Sequence, residues 1–298
     1  MPTTINSYAS LTNEQKTFYD RALLKRLLPN LLFLKHGQKR DIPKHEGDTI
    51  DFRRFNSLPV PEASLTEGVT PDAATLDVAK VTATVAQEGN YVIVTDKLDM
   101  VGIDPVITES AALMGENAAE TLETRCAAVI FNGTNVQNAA GTLTSSEIKK
   151  AVRTLKKANA KPMADGYFYA FVDPDTAFDL QNDTLWQDVS KYNGGENIEK
   201  GELGKLHGVK FFETTMCPVF EADDDGEDKH RTLIIGRDAY GVTSVEGESQ
   251  PRVIVKPAGS AGSEDPLEQR ATVAWKGMFT AVRLNEDAMC CIYHDVTA

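Results

Sequence analysis

The side chains that could do chemistry in this sequence include five histidines, which are spread along the whole chain. Histidine is a common choice for proton transfer and for metal binding near neutral pH, and both tasks need several groups held close together. No two histidines here stand at the spacing of metal ligands; they are His36, His45, His207, His230 and His294. We therefore predict no catalytic, metal-binding or cofactor-binding residue.

A second candidate is the acidic run EADDDGED at residues 221–228, which contains six carboxylates. Asp223, Asp225 and Gly226 match the beginning of a calcium-binding loop. The twelfth position counted from Asp223 is Ile234, however, and a calcium loop requires a bidentate glutamate there. The run favours a solvated acidic loop, with weak cation binding as the alternative.

The sequence lacks the motifs of common enzymes. It contains no GxSxG, no HExxH and no GxGxxG after a predicted strand, and GELGK at residues 201–205 lacks the spacing of a phosphate-binding loop. Glu67 and Asp72 lie on a predicted flexible loop, which would hold an acid and a base poorly. The four cysteines show no CxxC spacing, so we expect them to be reduced and mostly buried. We predict a protein that is not an enzyme.

Charge is distributed unevenly along the 298 residues, whose formal net charge is −13. This value argues against broad binding to a phosphate backbone. Residues 1–56 carry ten Lys and Arg against six Asp and Glu, which leaves −17 for the remainder. The basic segment could meet an acidic surface of a sister copy, or its charges form a solvated face. With no long apolar run and no signal pattern, we expect a soluble protein made in the cytoplasm.

The elements of the chain are organised around a long helix predicted for residues 104–133. Asp104 can cap its first turn, and Asn132 with Gly133 can supply a left-handed stop. At 1.5 Å per residue the helix would reach roughly 40 Å. The charged residues of the segment lie mostly off its buried stripe; they are Glu109, Glu116, Glu120, Glu123 and Arg125. The stripe consists of Ile107, Ala111, Met114, Ala118, Leu122, Cys126 and Val129.

Two features precede this helix. A first helix is predicted from Thr12 to about Pro29, and it either docks on its own body or crosses to a neighbour. A projecting β-arm follows, with a strand at residues 50–55, an irregular stretch at 59–74 and a strand or strand pair at 75–94. Long loops of this kind are commonly functional.

The region after the long helix mixes helices and strands, which favours an α/β layer of its own. Thr144 and Glu147 predict a capping box for a helix that ends near Asn159, and Asp173 opens a further helix. Strands are predicted at residues 167–172, 209–213, 232–235, 270–284 and 289–293.

This order of elements resembles the major capsid proteins of tailed phages, which have the fold called the Hong Kong ninety-seven type. The resemblance covers nearly the whole chain, and it is closest to the family typified by the podovirus N-four major capsid protein. It is carried by local patterns, none of them catalytic. They are LTNEQKTFYDRALLKRLLPNLLF (11–33), IPKHEGDTIDFRRFNSL (42–58), LTEGVTPDAATL (65–76), GELGKLHGVKFFETT (201–215) and WKGMFTAVRLNEDAM (275–289).

The resemblance implies an α+β phage capsid fold in four parts. These are an N-terminal arm at residues 1–40, an extended β-loop with its base strands at 41–94, a peripheral domain with the spine helix at 95–140 and 270–298, and an axial domain at 141–269. Copies would assemble as pentamers and hexamers into an icosahedral shell around double-stranded DNA, without sequence-specific binding and without a membrane. The expected location is the virion, after assembly in the host cytoplasm.

The resemblance also implies partners. These are other copies of the chain, with separate scaffolding, portal and decoration proteins as further candidates. The expected contact residues lie on the arm and on the loop: Phe18, Leu23, Leu27, Leu58, Val60, Pro61 and Leu65.

Some relatives join their subunits covalently through a lysine on the extended loop. Between Phe52 and Val94 only Lys80 is available, toward the base of the loop, so no such crosslink is predicted. Two alternative functions stay open at this point. One is a cellular nanocompartment shell of the same fold, and the other is an unrelated two-domain enzyme.

Overall fold

The computed structural model describes residues 32–60, 64, 67–70, 72–101, 106–183, 186, 202–219, 229–246, 250–260 and 265–297. Several sequence predictions lie outside these residues and stay predictions. They concern the helix from Thr12, the cap at Asp104, the acidic run at 221–228, and the expected contact residues Phe18, Leu23, Leu27, Pro61 and Leu65.

The described residues form five α-helices, thirteen strands and one 3-10 turn. The helices are α1 (Phe33–His36), α2 (Asp96–Val101), α3 (Val106–Ile130), α4 (Ser145–Lys157) and α5 (Pro174–Asn182), with a 3-10 turn at Glu286–Ala288. The strands are β1 (Gln38–Ile42), β2 (Thr49–Phe55), β3 (Val78–Thr84), β4 (Ala86–Thr95), β5 (Val136–Thr142), β6 (Phe168–Val172), β7 (Glu202–Leu206), β8 (Val209–Glu213), β9 (His230–Ile235), β10 (Tyr240–Val245), β11 (Arg252–Lys256), β12 (Arg270–Arg283) and β13 (Met289–Asp295).

The first sheet is built around the long strand β12. It pairs antiparallel with β4 over ten residues, from Arg270 opposite Thr95 to Phe279 opposite Ala86. β12 also pairs antiparallel with β10 and β11, and β1 runs parallel to β10. Side chains of β12 alternate between buried and half-buried, because alternate residues of a strand point to opposite faces.

The second sheet has six strands in the order β5-β13-β9-β6-β8-β7. Helices α4 and α5 pack against it through Ile148, Leu155 and Leu180, which share one hydrophobic cluster with strand residues such as Phe168. β6 has the sequence FYAFV and is almost wholly buried, as expected for a strand that is covered on both faces.

Sheet membership does not coincide with the sequence boundaries expected for the domains. β10 and β11 fall within residues 141–269 yet belong to the first sheet, and β13 falls within 270–298 yet belongs to the second. The 3-10 turn at Glu286–Ala288 joins β12 to β13. The end of the chain therefore links the two sheets.

Helix α3 is the long helix that the sequence predicts, with 25 residues and a length of about 37 Å. Its first half places small residues such as Ala111 and Ala118 against Val273 and Trp275. Its second half enters the main hydrophobic cluster through residues that include Ile130. Small side chains let the helix axis approach the sheet closely.

The end of α3 differs from the prediction. Neither Asn132 nor Gly133 has the left-handed backbone that was expected after the helix. The guanidinium of Arg283 instead donates to the carbonyl oxygens of Val129 and Asn132. A distant side chain therefore satisfies carbonyl groups that a local stop was expected to serve.

The capping box predicted for α4 is also wrong. The side chain of Thr144 makes no cap hydrogen bond, and Glu147 accepts hydrogen bonds from Gln137 and Lys150 instead. The N–H of Ser145 donates to Asp183 Oδ2 at 3.0 Å. The cap of α5 is confirmed, since Asp173 accepts a bond from the N–H of Thr176, three residues on. Among the described residues, no helix has the length and apolarity needed to cross a membrane.

Candidate assembly interface

The β-arm predicted from the sequence is formed by β2 and β3. They pair antiparallel from Thr49 opposite Thr84 to Phe55 opposite Val78. Just beyond the pair, the N–H of Asn56 donates to the carbonyl oxygen of Asp77 at 3.0 Å. The Asn56 amide also donates to the Asp77 carboxylate at 2.6 Å. These two hydrogen bonds hold the strands together at the end of the arm where the irregular stretch begins.

A charged cluster holds the two strands of the arm together nearer to the body. Lys80 Nζ lies 2.8 Å from Asp51 Oδ2, and the hydroxyl of Thr82 donates to Asp51 Oδ1 at 2.8 Å. The hydrogen bond from Lys80, and then the one from Thr82, lowers the pKa of Asp51. Lys80 is therefore engaged across the arm and lies within its paired part.

The outer part of the arm carries exposed apolar side chains. Leu58 is 52 % exposed and Val60 is 84 % exposed, and both are predicted contact residues. Phe55, Val69 and Leu76 are each more than 60 % exposed as well. Apolar surface left in water costs about 25 cal/mol for each Å² that a partner could cover. Their role in contacts between subunits stays a prediction.

Phe33 fixes the chain at the point where the described residues begin. Its ring is fully buried, with edge-to-face contacts to Phe171 at 5.0 Å and Phe131 at 5.9 Å between ring centroids. Its carbonyl oxygen accepts a hydrogen bond from the Tyr240 hydroxyl at 2.5 Å. Phe33 thus anchors the start of α1 inside the main hydrophobic cluster.

Glu123 of α3 completes this anchor. Its Oε2 accepts the N–H of Phe33 at 3.0 Å, and the N–H groups of Leu34 and Leu32 also stabilise the carboxylate. Burial raises the pKa of Glu123 to about 7, and these N–H groups oppose the shift. The prediction that Glu123 lies off the buried stripe is wrong, because its carboxylate serves the start of α1. The sequence did contain a signal for the burial of Glu123, because Glu123 stands four residues from both Ala119 and Ala127, which are buried too.

A second buried polar network joins α5 to β9. Asp173, Asp175 and His230 offer ligand atoms within 4.8 Å of one another, a geometry that could hold a metal ion. Asp173 already accepts bonds from the N–H and hydroxyl of Thr176 and lies 2.7 Å from His230 Nδ1. A cation would compete with the bonds that start α5. The network therefore fits a structural role, which sequence reasoning missed because Asp173 and His230 are far apart in the chain.

The cysteines behave as buried apolar side chains, as predicted. Cys126, Cys217, Cys290 and Cys291 are all buried and free. Burial raises the pKa of Cys290 to about 11 and that of Cys291 to about 12. These thiols are protonated at neutral pH and are poor nucleophiles.

Solved structures with a similar architecture include phage capsids and a virus-like particle. The capsid of cyanophage Pam1 has a TM-score of 0.68 at 14 % identity, covering 91 % of this chain and 92 % of that one. The capsid of cyanophage P-SCSP1u has a TM-score of 0.67 at 15 % identity, covering 90 % and 89 %. A virus-like particle from Pyrococcus furiosus has a TM-score of 0.56 at 14 % identity, covering 94 % and 99 %. The chain therefore shares the fold of these proteins.

A comparison of the amino-acid sequence with protein families identifies the family of the chain. A sequence model of the phage capsid protein family matches residues 78–292, which is more than two thirds of the chain. The chain belongs to this family: it is a major capsid protein of a phage, and its place is the capsid of the virion. No curated protein sequence matches it. The resemblance to tailed-phage capsid proteins and the α+β fold class are confirmed, and a nanocompartment shell is not favoured.

Proposed function

We propose that copies of this capsid protein assemble as pentamers and hexamers and close an icosahedral shell around double-stranded DNA. The observation that carries the proposal is the β-arm, which projects apolar residues such as Leu58 and Val60 into solvent. A subunit that works alone would have no use for this surface, whereas a shell subunit buries it against a neighbour.

The parts of the chain would divide this work. The β-arm, which runs from β2 to β3, would overlap the next subunit, and α3 with the first sheet would form the peripheral body. The second sheet with α4 and α5 would form the axial part that clusters around the symmetry axes. Once one contact has formed, overlapping arms raise the effective concentration of the next contact.

The proposal assigns the chain a structural role without catalysis. The buried cysteines are protonated, and Asp173 is engaged at the start of a helix. We further propose that scaffolding, portal and decoration functions, where they are used, belong to separate proteins. The net charge of −13 fits a shell that encloses DNA without gripping it strongly.

Electron microscopy of the purified full-length protein, alongside its sedimentation profile, tests the proposal. We expect closed shells, or rings of five and six subunits. A subunit that remains a 32.6 kDa monomer at high concentration, also when it is coexpressed with the scaffolding protein of its phage, would contradict it. Measuring the nucleic acid content of the shells then tests DNA enclosure separately.

A further inference from the structure

A cavity of about 600 Å³ lies where the β-arm meets the body. Its walls come from separate parts of the chain that the fold brings together. They are β1, the two strands of the arm, the connection after α4 at residues 158–161, the turn at 237–238 and the residues just before and within the 3-10 turn. The cavity is therefore a product of the whole fold.

Five of the residues that line this cavity are cationic: Arg40, Arg53, Arg54, Lys161 and Arg237. Two acids, Asp238 and Asp287, line it as well, which leaves an excess of three positive charges. In the part of the chain that the structure describes, none of the five cations forms a salt bridge, although other lysines and arginines do. Like charges gathered around one cavity repel one another, so an anionic occupant would stabilise the site.

The neighbouring carboxylate on the arm, Asp51, does not itself line the cavity, although it also attracts Arg53. Asp51 is engaged by Lys80 at 2.8 Å, within the arm itself. Arg40 lies over the ring of Phe52, with its guanidinium carbon 5.6 Å from the ring centroid. This contact orients one arginine at the cavity wall, and no described residue accepts a hydrogen bond from its guanidinium. Arginine groups of this kind bind carboxylates with two parallel hydrogen bonds.

We propose that this cavity receives the carboxylates of residues 221–228 from a second copy of the chain in the assembled shell. The inference rests on the proposed function, since it requires contacts between copies. The run EADDDGED holds six acids in eight residues, which gives it the charge density that five clustered cations require. Subunits with a net charge of −13 repel one another, so their contacts need local pairs of opposite sign.

The position of the cavity gives this contact a consequence for the arm. Arg53 and Arg54 belong to the arm, whereas Lys161 and Arg237 belong to the body. A carboxylate-rich segment between them would attract both sides at once. The acidic run of one copy would thereby fix the direction of its neighbour's arm.

Charge reversal with rescue tests the proposal. The double variant Arg53→Glu with Arg54→Glu should fold but form at most a tenth of the wild-type yield of shells. Adding Asp223→Lys and Asp224→Lys to the same chain restores the net charge and exchanges the two signs. This fourfold variant should recover shells to within about half of the wild-type yield. A control, Lys149→Glu with Arg153→Glu on the exposed side of α4, changes the net charge equally and should assemble as the wild type does.

The measurements are shell yield by sedimentation and electron microscopy, with circular dichroism and thermal melting to check the subunit fold. If Arg53→Glu with Arg54→Glu fails to fold, Arg53→Gln with Arg54→Gln takes its place and should still reduce the shell yield. The inference is overturned if the double variant assembles normally, or if folded fourfold chains recover nothing. Normal shells with reduced DNA content would show that the cavity binds phosphate instead. Failure of the wild type to assemble would contradict the proposed function itself.

Discussion

The N–H of Phe33 donates to the carboxylate of Glu123 at 3.0 Å, across 90 positions of sequence. The two residues join the first described turn of the chain to the middle of α3. The Tyr240 hydroxyl holds the carbonyl of the same Phe33 from the first sheet. Both backbone polar groups of Phe33 are thus hydrogen-bonded to side chains from distant parts of the chain.

The first prediction concerns the charge on Glu123. Burial raises its pKa from 4.5 to about 7, so its stabilising contribution is complete below about pH 4.5 and is lost as the pH rises through 7. Between pH 5 and pH 8 the unassembled subunit should lose about 2 kcal/mol of unfolding free energy from this source. Glu123→Gln keeps a hydrogen-bond acceptor without the charge, and this loss should be absent from it.

Urea unfolding of the wild type and of Glu123→Gln at several pH values checks this prediction. Other titrating groups affect both proteins equally, so the difference between the two curves isolates Glu123. If the two curves of unfolding free energy against pH stay parallel from pH 5 to pH 8, the Glu123 carboxylate is ionised over the whole range without loss of stability. That result would contradict the prediction.

The second prediction concerns Gly89 in β4. A Cβ at this position would lie 2.7 Å from the backbone oxygen of Trp275 on the paired strand, which cannot move without breaking the sheet. Gly89→Ala should therefore lower the unfolding free energy by about 1–3 kcal/mol. Thermal or urea unfolding measures the change.

Gly277 on the partner strand β12 provides a matched control. A Cβ there would meet Pro251 at 3.5 Å, which is an ordinary contact distance. Gly277→Ala should change the unfolding free energy much less than Gly89→Ala does. Equal effects at the two positions would mean that the close approach at Gly89 does not decide the outcome.

The third prediction concerns the outer part of the β-arm. Leu58→Asp combined with Val60→Asp should leave the subunit folded, because both side chains are exposed in it. Shell formation should fall at least tenfold, since a charge at a buried contact is costly. Sedimentation and electron microscopy measure the shells. Leu267→Asp, at a site that is 74 % exposed and outside the arm, should assemble normally; loss of shells in this control, or normal shells in the double variant, would refute the contact role.

The fourth prediction concerns covalent joining of subunits. Lys80 lies in the paired part of the arm and is held by Asp51 at 2.8 Å, so it is badly placed to reach a neighbour's side chain. Mature particles on a denaturing gel should give a band at the subunit mass of 32.6 kDa. A ladder of multiples that resists reducing agent and heat would show that a crosslink forms.

The features that could be predicted from the sequence are those encoded locally. The length of α3 follows from the repeat of small residues, and the arm follows from two β-rich segments that flank a proline-rich stretch. The exposure of Leu58 and Val60 follows from the same reasoning, since apolar residues in such a stretch have no period that would bury them.

The features that could not be predicted depend on distant partners. Arg283 serves the carbonyls at the end of α3, and Asp183 serves the first N–H of α4. In both cases the local sequence predicted a nearby hydrogen-bond partner. The structure instead uses a distant side chain that tertiary folding brings close. Glu123 also depends on a distant partner. Its acidic side chain is buried because it accepts the N–H of Phe33 there.

The direct continuation of β3 into β4 has a mechanical consequence. Only Val85 separates the arm strand from β4, and β4 is paired with β12 along ten residues. A pull along the arm therefore reaches the body as shear along that ladder, where many hydrogen bonds must yield together. A pull at right angles would peel the bonds apart one at a time. A lengthwise pull on the arm therefore loads the whole ladder between β4 and β12 at once.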